Sequence, residues 1–473
     1  MKLSRYGPPL ATLIAGLAVW STFHPALMSP DSLEQYRQAL DHDFLNWHPP
    51  LMAIVLSLVL GAGGSLGLLM LVQCLAGVFG VTALAGACLG AFRGDRLSPA
   101  ARAWLPVATL ALLLPPVSPL AFYLMTFWKD AWEMVLLVWL GTLSFRLAAA
   151  EEPPGRARLA GVVLVGALCG MARHNAVVVL PFAGLFLGWE LRRRGMRLGL
   201  AALWAAAPLA ACLLLNALLD RAFAVKDNSP EDWILALDLA GVCAKGGDAD
   251  CAALPFTRGQ IRDLPGLRLR YRPGDLVSAF WEKPELVDRG MVTLAHRPAL
   301  HAEYRRALRE HPLLLARLKI VGFWRMLGTR RTYYFFQGTL AENRYGLALD
   351  GPLPGAREWW TRAAQKTAEG PARWISGAHL VWLLAGVAWM LGLLAAAWRR
   401  RDGRLLSLAL VLALPLAYAA SYLPATPVPD FRFLYPSTLW IQCAAIAVAL
   451  SAVIAAAARG PRSGAASRPR SLP

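Results

Sequence analysis

The amino-acid sequence predicts an all-α polytopic membrane protein: a bundle of about ten transmembrane helices with interfacial helices and a mostly helical extramembrane section. Three observations predict it. Of 473 residues, 57% are hydrophobic and only 16% charged, a balance too apolar for an ordinary soluble protein. The apolar residues come in runs of about twenty, the length of one bilayer crossing. The arginines behind the formal charge of +18 sit in short runs between these segments. A nucleic-acid binder would instead gather them on one face, so this is the pattern of membrane topology, with no nucleic acid as partner.

Taken in order, Lys2 and Arg5 precede an apolar run at 8–28. Its start resembles a signal peptide, but no small-x-small cleavage site follows, so it is read as a retained first span with a cytoplasmic N-terminus. A polar stretch follows, carrying Asp31, Glu34, Asp41, His42, Asp43 and His48 ahead of Pro49-Pro50. Residues 51–60 are apolar but cut short by Gly61, Gly63 and Gly64, which predicts a helix lying in the outer interface. The second span covers 66–92 and ends at a turn from Arg93 to Arg96. The third covers 103–122, where Pro115 and Pro116 should break the outer end and turn freed backbone groups toward a polar cavity.

Trp128, Lys129 and Asp130 then fall at the outer face, ahead of a fourth span at 131–149. Two short apolar halves, 159–171 and 176–189, are split by Arg173-His174-Asn175 and predict a hairpin with a charged tip. A seventh span at 198–219 opens the long polar section. Spans at 375–398, 405–423 and 433–458 precede a Gly/Ser/Pro/Arg tail with the composition of a disordered segment. The chain therefore divides into a transmembrane core at 1–219 with an outer loop at 29–64, a periplasmic section at 220–373, the last spans at 374–458 and a cytoplasmic tail at 459–473. Ten spans place every Arg-rich short loop on one side and the acid-rich 31–48 loop, Asp130 and 220–373 on the other, as the positive-inside rule requires.

The outer residues differ in what they suggest. Ser29-Pro30-Asp31-Ser32 has the composition of a helix start, so Asp31 can be a simple cap. Asp41 and Asp43 read as solvated, and His48 can merely orient the turn before its two prolines. Lys129-Asp130 can be an interfacial anchor whose acid is favoured by the helix dipole. Arg173 and His174 are different: cationic donors at membrane depth are costly unless a polar cavity or an anion compensates, and phosphate is the obvious anion. Asp430 and Arg432, beside Phe431, Phe433 and Tyr435, repeat the theme before the last span, where an aromatic-belt anchor is the alternative.

In this order, an acid beyond the first span (Asp31), His48-Pro49-Pro50-Leu51, Lys129-Asp130, Arg173-His174-Asn175 and Asp430-x-Arg432-Phe433-x-x-Pro436 resemble the GT-C superfamily of membrane glycosyltransferases. That superfamily includes protein O-mannosyltransferases and aminoarabinose transferases, and the resemblance covers the membrane core. It implies a GT-C-like bundle in a bacterial inner membrane, multi-pass, with both termini cytoplasmic and the active site periplasmic. It implies transfer of a sugar from a polyprenyl-phosphate-linked donor to a glycan, glycolipid or protein acceptor. Asp31 would be the catalytic base of an inverting displacement, with Asp130 opposite it, holding the acceptor or a divalent cation. Arg173, His174, Arg432 and Lys129 would bind the donor phosphate. His48, Asn175, Asp430, Tyr435, Asp41 and Asp43 would line the site. Asp31 is followed by Ser32, so the acid pair frequent in the superfamily is absent, which leaves a metal on Asp31 and Asp130 open.

In the outer section, Cys243 and Cys251 are eight apart on the oxidising side, which predicts a disulfide. Residues 296–319 alternate apolar and basic positions at helical spacing, as expected of helices against a membrane surface. Arg330 and Arg331 with Tyr333, Tyr334, Phe335 and Phe336 can stack on a sugar or form part of an aromatic belt. There is no internal repeat, Walker loop, Rossmann fingerprint or zinc-ligand spacing. Two other classes share features. A secondary transporter also has interrupted spans, but with two comparable halves and midplane binding groups. A lipid-linked polysaccharide polymerase or ligase shares the donor and would rely more on Arg and His than on an acid after the first span.

Overall fold

A computed structural model of the chain describes residues 3–93, 98–328, 343–370 and 378–457. The described residues are overwhelmingly helical, and their only β pairings are three isolated bridges. The first helices are α1 (Leu3–Phe23), α2 (Pro30–Asp41), α3 (Leu51–Gly61), α4 (Leu66–Arg93), α5 (Pro99–Trp104), α6 (Leu120–Met125) and α7 (Lys129–Ala149). They are followed by α8 (Arg156–Ala172), α9 (Val179–Arg193) and α10 (Leu198–Ala222). The outer section holds α11 (Pro230–Lys245), α12 (Asp248–Ala252), α13 (Pro255–Gln260), α14 (Leu264–Arg270), α15 (Arg297–Glu310) and α16 (Pro312–Met326). After α17 (Pro354–Glu369) come α18 (His379–Arg400), α19 (Gly403–Ala420) and α20 (Phe431–Ala457).

Seven helices among the described residues are long and apolar enough to cross a membrane: α4, α7, the run from His174 through α9, α10, α18, α19 and α20. The chain is an all-α, multi-pass membrane protein. The other three predicted spans take different forms. α1 carries Pro8 and Pro9 and stops at Phe23, so residues 24–28 leave the helix five residues before the predicted end. α8 has 17 residues. The third predicted span is no single helix: α5 runs into a 3-10 stretch, Leu105–Leu113, the chain turns at Leu114 to Ser118, and α6 follows. Pro106, Pro115, Pro116 and Pro119 each lack an amide donor and crowd the preceding turn, which explains the break.

Backbone groups released by these breaks are satisfied inside the bundle, as a lipid environment demands. Gln73 on α4 donates from Nε2 to the carbonyls of Leu124 (2.7 Å) and Thr126 (3.1 Å). The segment after α1 pairs with the segment before α7: Leu27 donates to the Met125 carbonyl and Phe127 to the Leu27 carbonyl. This short parallel contact fixes the start of α2 beside the start of α7. Small residues let the spans close up. At Gly184 on α9, a Cβ would collide with the Ala205 carbonyl of α10.

The outer section has its own core of Leu237, Val242, Leu267, Phe280 and Leu318, with Cys243 and Cys251 joined as a disulfide. Residues 343–370 return to the membrane core rather than continuing this section. Asp350 meets His24 at 2.6 Å, and Trp360 donates to the Leu113 carbonyl at 2.9 Å. The helices expected against the membrane surface divide their roles. Leu300 and Ala307 of α15 are buried, while Leu313, Ile320 and Trp324 of α16 are exposed. Arg330, Arg331, Tyr333, Tyr334, Phe335 and Phe336 lie outside the described residues, as do the predicted Arg96 turn and the tail.

Candidate functional site

The site is assembled where helix ends meet. Ser29 caps α2: its hydroxyl accepts from the Ser32 amide, and the Ser32 hydroxyl accepts from the Ser29 amide, with Pro30 pre-set in the first turn. Trp128, just before α7, donates its indole N–H to the same Ser29 hydroxyl at 2.7 Å. The cap therefore sets the start of α2 against the start of α7 as well as starting a helix.

Two carboxylate–guanidinium pairs lie there. Arg432, at the start of α20, donates to Asp31 Oδ2 at 2.9 Å and contacts Asp430 Oδ2 at 3.1 Å, so one guanidinium bridges two acids. Asp130, fully buried, pairs with Arg173 from the break between α8 and α9. Phe433 joins the pairs, its ring 4.5 Å from the Arg173 guanidinium and 5.1 Å from that of Arg432. Trp128 lies under Arg432 and Tyr422 under Arg173. Arg173 also donates to Asn175, which donates on to the Ser421 hydroxyl.

Lys129 is the exception in this network. Its side chain is buried, with 8% of the residue exposed, yet among the described residues its ammonium makes no hydrogen bond, and its nearest carboxylate, Asp130 Oδ2, stands 3.9 Å away. Its charge reaches Asp31 and His48. His48 Nε2 lies 3.8 Å from Asp31 Oδ1. Burial, aided by Lys129, lowers His48 to about 4 despite the neighbouring carboxylate, so its ring is neutral at pH 7. Burial alone would raise Asp31, but His48 and the charges of Arg432 and Lys129 outweigh it and hold the carboxyl well below the usual range.

Asp31, His48, Lys129, Asp130, Arg173, Asn175, Asp430 and Arg432 are thus drawn into one linked cluster. His174 sits at its rim, exposed, with Nε2 3.0 Å from the Asn46 carbonyl. Tyr435 is fully buried, its ring tilted against that of Tyr123 and its hydroxyl 2.5 Å from that of Ser118, so it supports the cluster from below. Asp41 and Asp43 lie apart, about 15 Å further along and past α2. They bind Arg37 and Lys226 and tie that end of the helix to the outer section. Sequence reasoning gave no role to Tyr422 and Ser421, which end an apolar segment without a distinguishing pattern. It also passed over Glu133, buried one turn below Asp130 with the Cys169 thiol 3.8 Å away.

The residues present do not fit a divalent cation on Asp31 and Asp130. Each carboxylate faces its own arginine, and Arg432 already fills the place between Asp31 and Asp430. Among the described residues no group of three or more His, Cys, Asp or Glu could hold a metal ion.

Fold and site define a multi-pass helical membrane protein with a charged, partly buried cluster where its helix ends meet. No protein-family model matches the sequence, and no curated protein matches it. Among solved structures the chain is similar to the archaeal oligosaccharyltransferase AglB from Archaeoglobus fulgidus, in complex with an inhibitory peptide and a dolichol-phosphate. The two are 13% identical, the likeness covers 98% of this chain and 53% of that one, and the TM-score is 0.42. The chain spans about half the length of that protein.

Proposed function

We propose that this chain is a GT-C-type glycosyltransferase that moves a sugar from a polyprenyl-phosphate-linked donor to a glycan, glycolipid or protein acceptor on the periplasmic face of a bacterial inner membrane. The observation that carries this reading is the pairing of Asp31 with Arg432 beside the buried side chain of Lys129, whose ammonium stands 3.9 Å from its nearest carboxylate. Such a cluster supplies both needs of the reaction, a base for the acceptor's proton and positive charge for a departing phosphate.

A carboxylate held low by His48 and by the charges of Arg432 and Lys129 is a poor base while those partners stay on it. In the proposed cycle the donor phosphate competes for Arg432 and meets Lys129, and Asp31, released, rises toward the ordinary carboxylate range. The acceptor oxygen or nitrogen attacks the anomeric carbon from the face opposite the phosphate, and Asp31 takes its proton. The anomeric C–O bond breaks with its electron pair going to the phosphate, whose charge Arg432 and Lys129 stabilise. Arg173, locked between Asp130, Tyr422 and Phe433, acts as a positioning residue on this reading. No step passes through a metal.

The test is transfer by the purified full-length protein in lipid nanodiscs, supplied with polyprenyl-phosphate hexose or pentose and an envelope glycolipid extract. Asp31→Asn, still folded and inserted, should lose about 10²–10⁴-fold in rate. Wild-type transfer by that variant would remove Asp31 from the chemistry.

A further inference from the structure

At the other end of the bundle a cavity of about 870 Å³ opens between α1, α4, α7, α8 and the 3-10 stretch. Its wall follows α4 from Phe79 to Gly90, about 16 Å of helix, which is the hydrocarbon depth of one leaflet. Apolar and small residues such as Trp139, Leu143 and Gly86 line it. At Gly90 a Cβ would meet nothing within 4 Å. The charged residues in the lining are both arginines, Arg146 in the last turn of α7 and Arg158 in the first turn of α8. Both are exposed, and among the described residues neither guanidinium has a hydrogen bond or ion pair. The length of α7, 21 residues or about 30 Å, separates this end from Asp130.

We propose that this cavity holds an anionic phospholipid, one acyl chain lying along α4 and the phosphate between Arg146 and Arg158. An apolar trough one leaflet deep, lined by two arginines with no partner among the described residues, matches a ligand with a hydrocarbon tail and an anionic head. A zwitterionic lipid would bring its own ammonium against the same arginines and is disfavoured. The site lies away from the charged cluster and does not depend on the glycosyltransferase reading.

The experiment is native mass spectrometry of the full-length protein released from nanodiscs of phosphatidylglycerol and phosphatidylcholine. The wild type should retain phosphatidylglycerol in preference to phosphatidylcholine. The Arg146→Gln/Arg158→Gln double variant should lose about thirtyfold in that retention. Gly90→Phe, which sets a ring in open space within the trough, should abolish it. Equal retention of the two lipids by the wild type, or retention unchanged in both variants, overturns the proposal. So does an equal loss in Arg156→Gln, which lies on the same turn as Arg158 but outside the cavity lining. Unchanged circular dichroism and monodisperse elution of the variants keep these outcomes readable.

Discussion

Lys129 holds an ammonium in a nearly closed site with no hydrogen-bond acceptor among the described residues, although an apolar side chain of the same length would fill that space without the cost of desolvating a charge. Lys129→Met should therefore leave thermal stability unchanged or raised, while the KM for a polyprenyl-phosphate donor rises at least about tenfold for the lost charge-assisted bond. A fall in stability with an unchanged KM would make the lysine structural. His48 gives a pH signature. Its folded value of about 4 lies below its ordinary value near 6.5, so between those limits the unfolded chain binds more protons than the folded one. Stability should fall as pH drops from about 6.5 to about 4, by a few kcal/mol at most, and be flat on this account above that window. His48→Gln should flatten the decline of melting temperature across it. At this scale Asp31, Lys129, Arg173 and Arg432 were legible because each interrupts or borders an apolar run, where a charge needs a reason. Tyr422 and Ser421 were not, since a tyrosine and a serine closing an apolar segment are ordinary belt chemistry.

Among the elements, the junction of α2 and α7 does the positioning. Ser29 both caps α2 and accepts from Trp128, whereas Ser98 caps α5 in an exposed setting. Ser29→Ala should cost about 2 kcal/mol, for the cap plus the lost bond from the Trp128 indole, against about 1 kcal/mol for Ser98→Ala. Equal losses in denaturant unfolding would argue that the Trp128 bond contributes nothing. The start of α2 was visible as Ser-Pro-Asp-Ser, and the broken third span as its prolines. The extended pairing of Leu27 with Thr126 was not visible, because residues 24–28 are as apolar as the helix before them and only Pro25 marks the change. The return of 343–370 to α1 was hidden for a related reason: Leu347, Leu349 and Trp360 pack on the membrane core, but their spacing between polar residues reads as an outer loop.

For the whole molecule, apolar run lengths gave the order of the seven long spans but also read α1, the broken third segment and α8 as crossings, and the alternation of Arg-rich and acid-rich loops grouped the ends that meet at the cluster. What the chain's linear pattern could not supply was the closure of two separate cores, one through the bundle and one in the outer section, joined by bonds such as Leu276 to the Pro427 carbonyl. Those contacts link residues about 150 positions apart and leave no periodic trace. The proposed activity belongs to this scale, since Asp31 and Arg432 stand 401 positions apart and are joined only when the start of α2 meets the start of α20. The most direct measurement compares the masses of envelope glycolipids and glycoproteins from cells carrying the wild-type chain, no chain, or Asp31→Asn. Sugar transfer through Asp31 predicts one glycoconjugate lighter by a single sugar in both the deletion and the Asp31→Asn cells. An Asp31→Asn profile identical to wild type, with the variant present in the membrane at normal level, would contradict it.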